Sequence, residues 1–460
     1  MTNRVNLTTY IIILKDSAVD ASALSVDADA TTLSGAGAVS AADELLASLS
    51  SAGSVYELLS TTVPSPHLSG RRMSMTLPSP ILGLPMLILR LDDEAAELCR
   101  LNANVFTMEA DALIRVSPIA DLGPYNTTVF FPSGAASSAS LDRIDQRTLP
   151  LDGQFRNAAD GAGIDAYILD SGIFAGHTEF RGRVAKGANF AEDRATGDNT
   201  DFTDCSGHGT HVSSLLGGTK YGAAKLVRIH AVRVMKCDNE GTLVAALFGI
   251  DFVLRTVKET PSRHFVVNLS WGGSNSPVLA AGVARLVAAG GLVTAAAGNE
   301  DKDACTVSPA NSPGILAVAS SSISDKYSSF SNFGPCVAII APAEFVIGAG
   351  IASPIDTQIL SGTSMASPLV AGVAADYWQL HPQQTAREVR EALLCSSSFG
   401  AIRGLPNPQT TSRLLYSDPS GWMDLQEDCR ALSAASARSL PATSAIFCTV
   451  IALAWHIRGR

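Results

Sequence analysis

Charge is scarce in this chain. Asp, Glu, Lys and Arg make up 17% of its 460 residues, against roughly a quarter in an ordinary globular protein. The formal net charge is −10 and no run of basic residues occurs. A polyanion-binding protein carries a basic stripe, so nucleic acid is excluded as a partner. The C-x-x-C pair is missing as well. None of Cys99, Cys205, Cys237, Cys305, Cys336, Cys395, Cys429 and Cys448 stands at that spacing, which removes the usual zinc sites. The N-terminus, MTNRVNLTTYIIILKD, lacks a long apolar run: Tyr10 to Leu14 is all it has, with no small-residue cleavage site behind it. No signal peptide is therefore legible, and either a cytosolic protein or a true start upstream of Met1 is expected.

What is abundant is apolar: 46% of the residues, enough for a large core with strands buried on both faces. Residues 1–116 read as a small α+β unit. Strands are expected at 7–15, 55–60, 85–91 and 105–111, and helices at 41–50 and 93–101. An Ala/Ser/Gly-rich segment, 17–40, reads as a loop, and 117–138 as a linker. From about 139 strands and helices alternate. Strands are expected at 164–170, 228–235, 265–271, 292–299 and 315–320, and helices at 208–218, 242–257, 278–290 and 363–381. Near-continuous apolar strands joined by helices predict a parallel sheet covered on both faces, with the site at the carboxyl ends of its strands. The apolar stretch 278–297 is broken by Arg285, Gly290 and Gly291 and is expected in the core. The run from Ala445 to Trp455 falls short of the ~20 residues that span a bilayer. Counted from Leu440 to Ile457 it is barely long enough, and it admits three readings: a membrane anchor at the C-terminus, a removable lipid-anchor tail, or a greasy terminal helix docked on the protein. Asn6 and Asn126 are loop-like glycosylation acceptors. Asn268, inside an apolar strand, is expected to be structural.

Three polar residues stand where such a sheet puts its chemistry. Asp170 ends a buried strand in YILDSG, His208 opens a helix in CSGHGTHV, and Ser364 opens a helix in SGTSMASP. Alone, the Asp is a turn former, the His a helix-start residue and the Ser part of a tight turn. Together they fit an activated hydroxyl. A serine needs an adjacent base, His208 would carry its proton to a leaving amine, and Asp170 would hold and charge-balance the imidazole. A helix start favours the anion that develops at Ser364. In AAAGNE, Asn299 is a turn residue or an N–H donor to that anion.

Asp, His and Ser in this order, with DSG, HGTHV, LSWGG, AAAGN and GTSMASP, resemble the subtilisin-like serine peptidases and, within them, the proteinase K subgroup. The resemblance covers about 139–417. It implies an α/β, three-layer fold with a central parallel sheet, and a serine endopeptidase acting on proteins and peptides through an acyl-enzyme. Asp170, His208 and Ser364 would be the catalytic triad and Asn299 the oxyanion donor. Ser270, Trp271 and Gly272 would line the substrate cleft, and Ala296 and Gly298 a wall of the primary pocket, with broad preference for apolar or aromatic residues before the cut. Residues 1–116 resemble the family's ferredoxin-like inhibitory propeptide, which chaperones folding and is removed by self-cleavage within 117–138. Residues 418–460 form a tail. Cys205 with Cys237, and Cys305 with Cys336, resemble the two disulfides of extracellular relatives. They imply a monomeric, secreted zymogen whose signal peptide lies outside this chain.

The chain departs from the family in places. Ser213-Ser214 replaces Ala-Gly after HGTHV and is expected to crowd the packing behind His208. Trp271 replaces Leu and is expected to fill an outer subsite. Leu369 stands for a His. A serine near Ser322 replaces an acidic calcium ligand, so calcium is not supported and no other cofactor or metal is expected. His211 is expected to be structural. A competing reading is a binding protein whose propeptide stays in the cleft and blocks turnover.

Overall fold

The computed structural model describes residues 7–14, 44–49, 56–61, 86–117, 138–191 and 200–422. Near the N-terminus, β1 (Thr8–Leu14), β2 (Tyr56–Thr61), β3 (Met86–Leu91) and β4 (Val105–Ala110) form one antiparallel sheet in the order β2-β3-β1-β4. Alternation along a strand sends successive side chains to opposite faces. Ile12, Leu14, Leu87 and Leu89 meet Leu45, Leu49 and helix α1 (Asp93–Leu101) on one face. Ile11, Ile13, Met86 and Ile88 face the rest of the molecule. The short strand β5 (Leu113–Arg115) follows.

The remainder is built on seven parallel strands. After helix α2 (Ala139–Ile144) come β6 (Asp165–Asp170), β7 (Ala188–Asn189), helix α3 (His208–Gly217), β8 (Arg228–Arg233) and β9 (Glu240–Thr242). Helix α4 (Leu243–Glu259), β10 (Phe265–Leu269), β11 (Gly272–Ser274), helix α5 (Pro277–Ala288), β12 (Leu292–Ala296) and β13 (Val307–Ser308) follow. The chain ends its regular structure with β14 (Leu316–Ser321), β15 (Ile339–Pro342), the hairpin β16 (Val346–Ala349) and β17 (Thr357–Leu360), and helices α6 (Thr363–Leu380) and α7 (Ala386–Ser396). The main sheet runs β15-β14-β12-β10-β6-β8-β7. Strands β6, β10, β12 and β14 are buried along their whole length, as the unbroken apolar runs require. Helices α3, α6 and α7 cover one face, and α4 and α5 the other, giving three layers. The stretch 278–297 is thus α5 and β12, and no described helix is long and apolar enough to cross a membrane. The glycosylation acceptors at 6 and 126 and the apolar run 445–455 lie outside the described residues.

Two disulfides link Cys205 to Cys237 and Cys305 to Cys336, with Cα atoms 5.0 and 5.2 Å apart. Each closes a loop of about thirty residues, worth roughly 3–4 kcal/mol in the chain-entropy account. Cys395 is disulfide-bonded. Cys99 is free and buried, and that burial pushes its thiol up to about 11.

The N-terminal sheet meets the main body through two carboxylates. Glu109 accepts from the Ser276 hydroxyl at 2.6 Å and the Val278 N–H at 2.9 Å, at the start of α5. Asp111 accepts from the Val244 N–H at 3.0 Å, at the start of α4. Unpaired N–H groups and the helix dipole favour negative charge at these ends. Beyond them β5 pairs antiparallel with both β9 and β11, joining them into one small sheet.

Trp271 anchors the turn between β10 and β11. It is fully buried, and its indole N–H donates to the Leu169 carbonyl at 2.8 Å. Trp271→Ala should therefore cost about 3–5 kcal/mol of stability, the range for large aromatic truncations in a core. A denaturant-midpoint measurement checks this, and a loss below about 1 kcal/mol would contradict the anchoring role.

Candidate active site

Asp170 is the last residue of β6 and is fully buried. His208 is the first residue of α3. Its Nδ1 lies 2.8 Å from Asp170 Oδ1. A carboxylate only accepts, so Nδ1 carries a proton and donates, and it is Nε2 that has a lone pair whenever the ring is neutral. Among the described residues Nε2 has no hydrogen-bond partner. Gly209 allows this approach of α3 to the Asp170 turn, because a Cβ there would fall 2.3 Å from the Gly172 carbonyl oxygen.

Ser364 stands in the first turn of α6, with its hydroxyl donating to the Ser270 carbonyl at 3.1 Å. Ser270 answers: its own hydroxyl donates to the Ser364 carbonyl at 2.8 Å. Asn299 is oriented by its Oδ1, which accepts from Thr363 N–H at 2.9 Å and Thr363 Oγ1 at 2.7 Å. Nδ2 is the amide's other end, 2.9 Å from where a Cβ on residue 362 would sit, so a side chain there would push the amide aside. Asp170, His208, Ser364, Ser270 and Asn299 are thus gathered at the carboxyl ends of β6, β10 and β12 and the starts of α3 and α6. Gly272 lies in β11, Ala296 ends β12, and the Gly298 N–H donates to Thr363 Oγ1 at 3.1 Å.

Trp271 differs from expectation. Its indole finds its acceptor in the core at Leu169 rather than in an outer subsite. Ser214 differs too. Its hydroxyl donates to the His211 carbonyl at 2.7 Å and accepts from Ala349 N–H at 2.9 Å. It therefore latches α3 to β16 instead of crowding it. Leu369, on α6, is buried in the core. The Ser322 hydroxyl accepts the Lys326 N–H at 3.2 Å in a turn. No cluster of His, Cys, Asp or Glu among the described residues could hold a metal ion.

Two supports were not read from the sequence. Asp204, buried just before α3, accepts five hydrogen bonds: from Ser171 Oγ, Ser206 N, Gly207 N, Thr210 N and Thr210 Oγ1. It ties the Asp170 turn to the His208 helix. Beneath Ser364, the Ser367 hydroxyl donates to Asn268 Oδ1 at 2.7 Å, and Asn268 Nδ2 donates to Ser270 Oγ at 2.9 Å. Asn268 is fully buried. Its acceptor sequence gave a structural reading but no hint of this chain of contacts.

The sequence profile of the subtilase family, peptidase family S8, matches residues 161–418. An extracellular serine proteinase of Thermus sp. (strain Rt41A) is 38% identical over 312 residues, 68% of this chain and 70% of the relative. Alkaline serine exoprotease A of Vibrio alginolyticus is 35% identical over 342 residues, 74% of this chain and 60% of the relative. A crystal structure of a cold-adapted subtilisin-like serine proteinase superposes with a TM-score of 0.56 at 39% identity, covering 62% of this chain and 99% of that one. The fold and site define a serine-type peptidase with a subtilisin-like fold. This chain belongs to the subtilase family.

His211 holds the hairpin behind the site. Its Nε2 lies 3.1 Å from the Val346 carbonyl and 3.2 Å from that of Gln358. Burial, then the neighbouring His208, pushes its imidazole down to about 3. An unfolded His takes its proton near 6.5, so between about 3 and 6.5 the unfolded state binds more protons. Stability then rises with pH across that window and is fully present above it. His211→Gln should flatten this acid limb by up to about 1.4 kcal/mol per pH unit, read from denaturant midpoints at pH 4 to 7. An unchanged slope would assign the limb to another group.

Proposed function

We propose that this protein is a serine endopeptidase acting through Asp170, His208 and Ser364, and that it is made as a zymogen. The observation that carries the reading is the Asp170–His208 contact at the end of β6, with Ser364 at the start of α6 held against the end of the neighbouring strand β10. In the reaction the Ser364 hydroxyl swings from the Ser270 carbonyl to His208 Nε2 and gives up its proton as Oγ attacks the substrate carbonyl. Asp170 stabilises the imidazolium that forms. The tetrahedral oxygen takes N–H bonds from the Ser364 backbone and Asn299 Nδ2. The imidazolium protonates the leaving amine, and water repeats the sequence to release the acyl group. Substrate lies as an added strand along Ser270–Gly272. The small walls from Ala295 to Gly298 favour apolar or aromatic residues before the cut.

The N-terminal unit acts as chaperone and inhibitor in this reading. Its strand β5 lies between β9 and β11, with Arg115 opposite Gly272. Carrying that antiparallel register on by two residues sets Ser117 opposite Ser270, beside the nucleophile. On the other side the Val116 N–H donates to the Asn239 carbonyl at 3.2 Å, carrying the β5–β9 pairing one residue beyond Arg115. The unit thus lies in the cleft as a substrate would, and its removal, by a cut within 117–138, frees the enzyme. The disulfides and the extracellular Thermus relative favour secretion. The product is a monomer acting on protein and peptide substrates.

The test is a fluorophosphonate probe on the full chain, with mass spectrometry of the intact protein and its peptides, beside Ser364→Ala. Labelling of Ser364, with a cut in 117–138 that Ser364→Ala lacks, is expected. A cut without labelling would instead point to a propeptide-blocked binder, and the absence of both cut and label would end the peptidase reading. Asn299→Ala should lower kcat by roughly 10²–10³-fold with little change in KM, the loss known for such a donor in a subtilisin. A KM effect alone would remove Asn299 from the oxyanion site.

A further inference from the structure

We infer that Glu240 makes this cleft select a cationic side chain at the third residue before the cut, an inference that rests on reading 113–117 as a substrate-like strand. Arg115 and Glu240 are direct partners across the β5–β9 ladder. Directly opposed residues in an antiparallel pair place their side chains on one face. Here they meet as an ion pair, with Arg115 Nη2 2.8 Å from Glu240 Oε1. With Ser117 opposite Ser270, Arg115 is third from the bond offered to Ser364.

The surroundings make this position electrostatically one-sided. On the other flank of the strand stand Gly272 and Gly273, which have no side chain to read it. The rim of β9 carries two carboxylates, Asp238 and Glu240, against one ammonium. Lys236 Nζ sits 3.0 Å from Asp238 Oδ2 and 3.8 Å from Glu240 Oε2, so its closer contact is with Asp238. The face that meets the third side chain is therefore net acidic. It attracts Arg or Lys and repels Asp or Glu. Both partners are partly solvated, with side-chain exposures of 59% for Arg115 and 33% for Glu240, so the preference is modest and sensitive to salt.

The experiment uses three fluorogenic peptides identical except for Arg, Ala or Glu at the third residue before the cut. They are assayed with the full chain as expressed and with Glu240→Gln and Glu240→Lys. In the unsubstituted protein kcat/KM should follow Arg, Ala, Glu, with Arg over Glu by roughly five-fold at low salt. The ratio should shrink toward one near 1 M salt, where charges are screened over about 3 Å. Glu240→Gln should collapse the ratio, and Glu240→Lys should invert it. A ratio that neither substitution moves, or one indifferent to salt, would overturn the inference while leaving the peptidase reading intact. Failure to cleave any of the peptides would overturn that reading, and this inference with it.

Discussion

Helix α6 is the part on which the rest of the molecule depends. Every residue from Thr363 to Trp378 is buried. A helix that is apolar all round has no stable place except inside a large core. The parallel sheet supplies that place, and α6 contributes to the larger apolar cluster together with α3, α7 and the inner strands. Because α6 cannot shift without exposing this surface, its first turn is fixed relative to the strand ends. Ser364 inherits that rigidity, and so do the contacts that aim it. The Ser270 carbonyl receives its hydroxyl, the Ser270 hydroxyl receives its carbonyl, and Asn268 and Ser367 hold Ser270 from below.

The His208 helix is positioned by a different device. Its N-terminal N–H groups, and the Ser171 hydroxyl beside Asp170, converge on the single buried carboxylate of Asp204. A buried carboxylate is costly unless its oxygens are well served by donors, and here both oxygens are. The result is that Asp170 and His208 are set against each other through the backbone as well as by their own 2.8 Å contact. On the far side of α3, Ser214 and His211 fasten the β16–β17 hairpin. Of the two serines that depart from the family pattern here, Ser214 is a latch rather than a fault.

Much of this was legible in the sequence. The apolar runs that became β6, β10, β12 and β14, and the helical stretches that became α3 to α6, fall within a few residues of where periodicity set them. Long, fully buried elements carry the strongest signal. The elements that escaped include helices α2 and α7, strands β7, β13 and β15, the β16–β17 hairpin and, in the small sheet, β5, β9 and β11, each three residues long. Three residues show no alternation, and these strands exist only because each supplies the others' hydrogen bonds. The direction of Trp271 escaped for a related reason: the choice between cleft and core is made by the distant Leu169 carbonyl. Asp204 looked like any loop aspartate, since the donors that converge on it are brought together by the turn itself. Asp170, His208 and Ser364 were readable as the proposed triad because each sits in its own short motif. The cradle beneath it was not, because it is spread over β10, β12 and α6.

The central claim is that one cleft, built on the start of α6, both performs the chemistry and is filled by the chain's own residues 113–117. A crystal structure of the full-length Ser364→Ala protein tests it most directly. The account predicts Leu113–Arg115 paired between 240–242 and 272–273, with the Ser117 carbonyl facing residue 364 and Asn299. An empty cleft with the N-terminal sheet docked elsewhere, or a strand running through it in the opposite direction, would contradict the account.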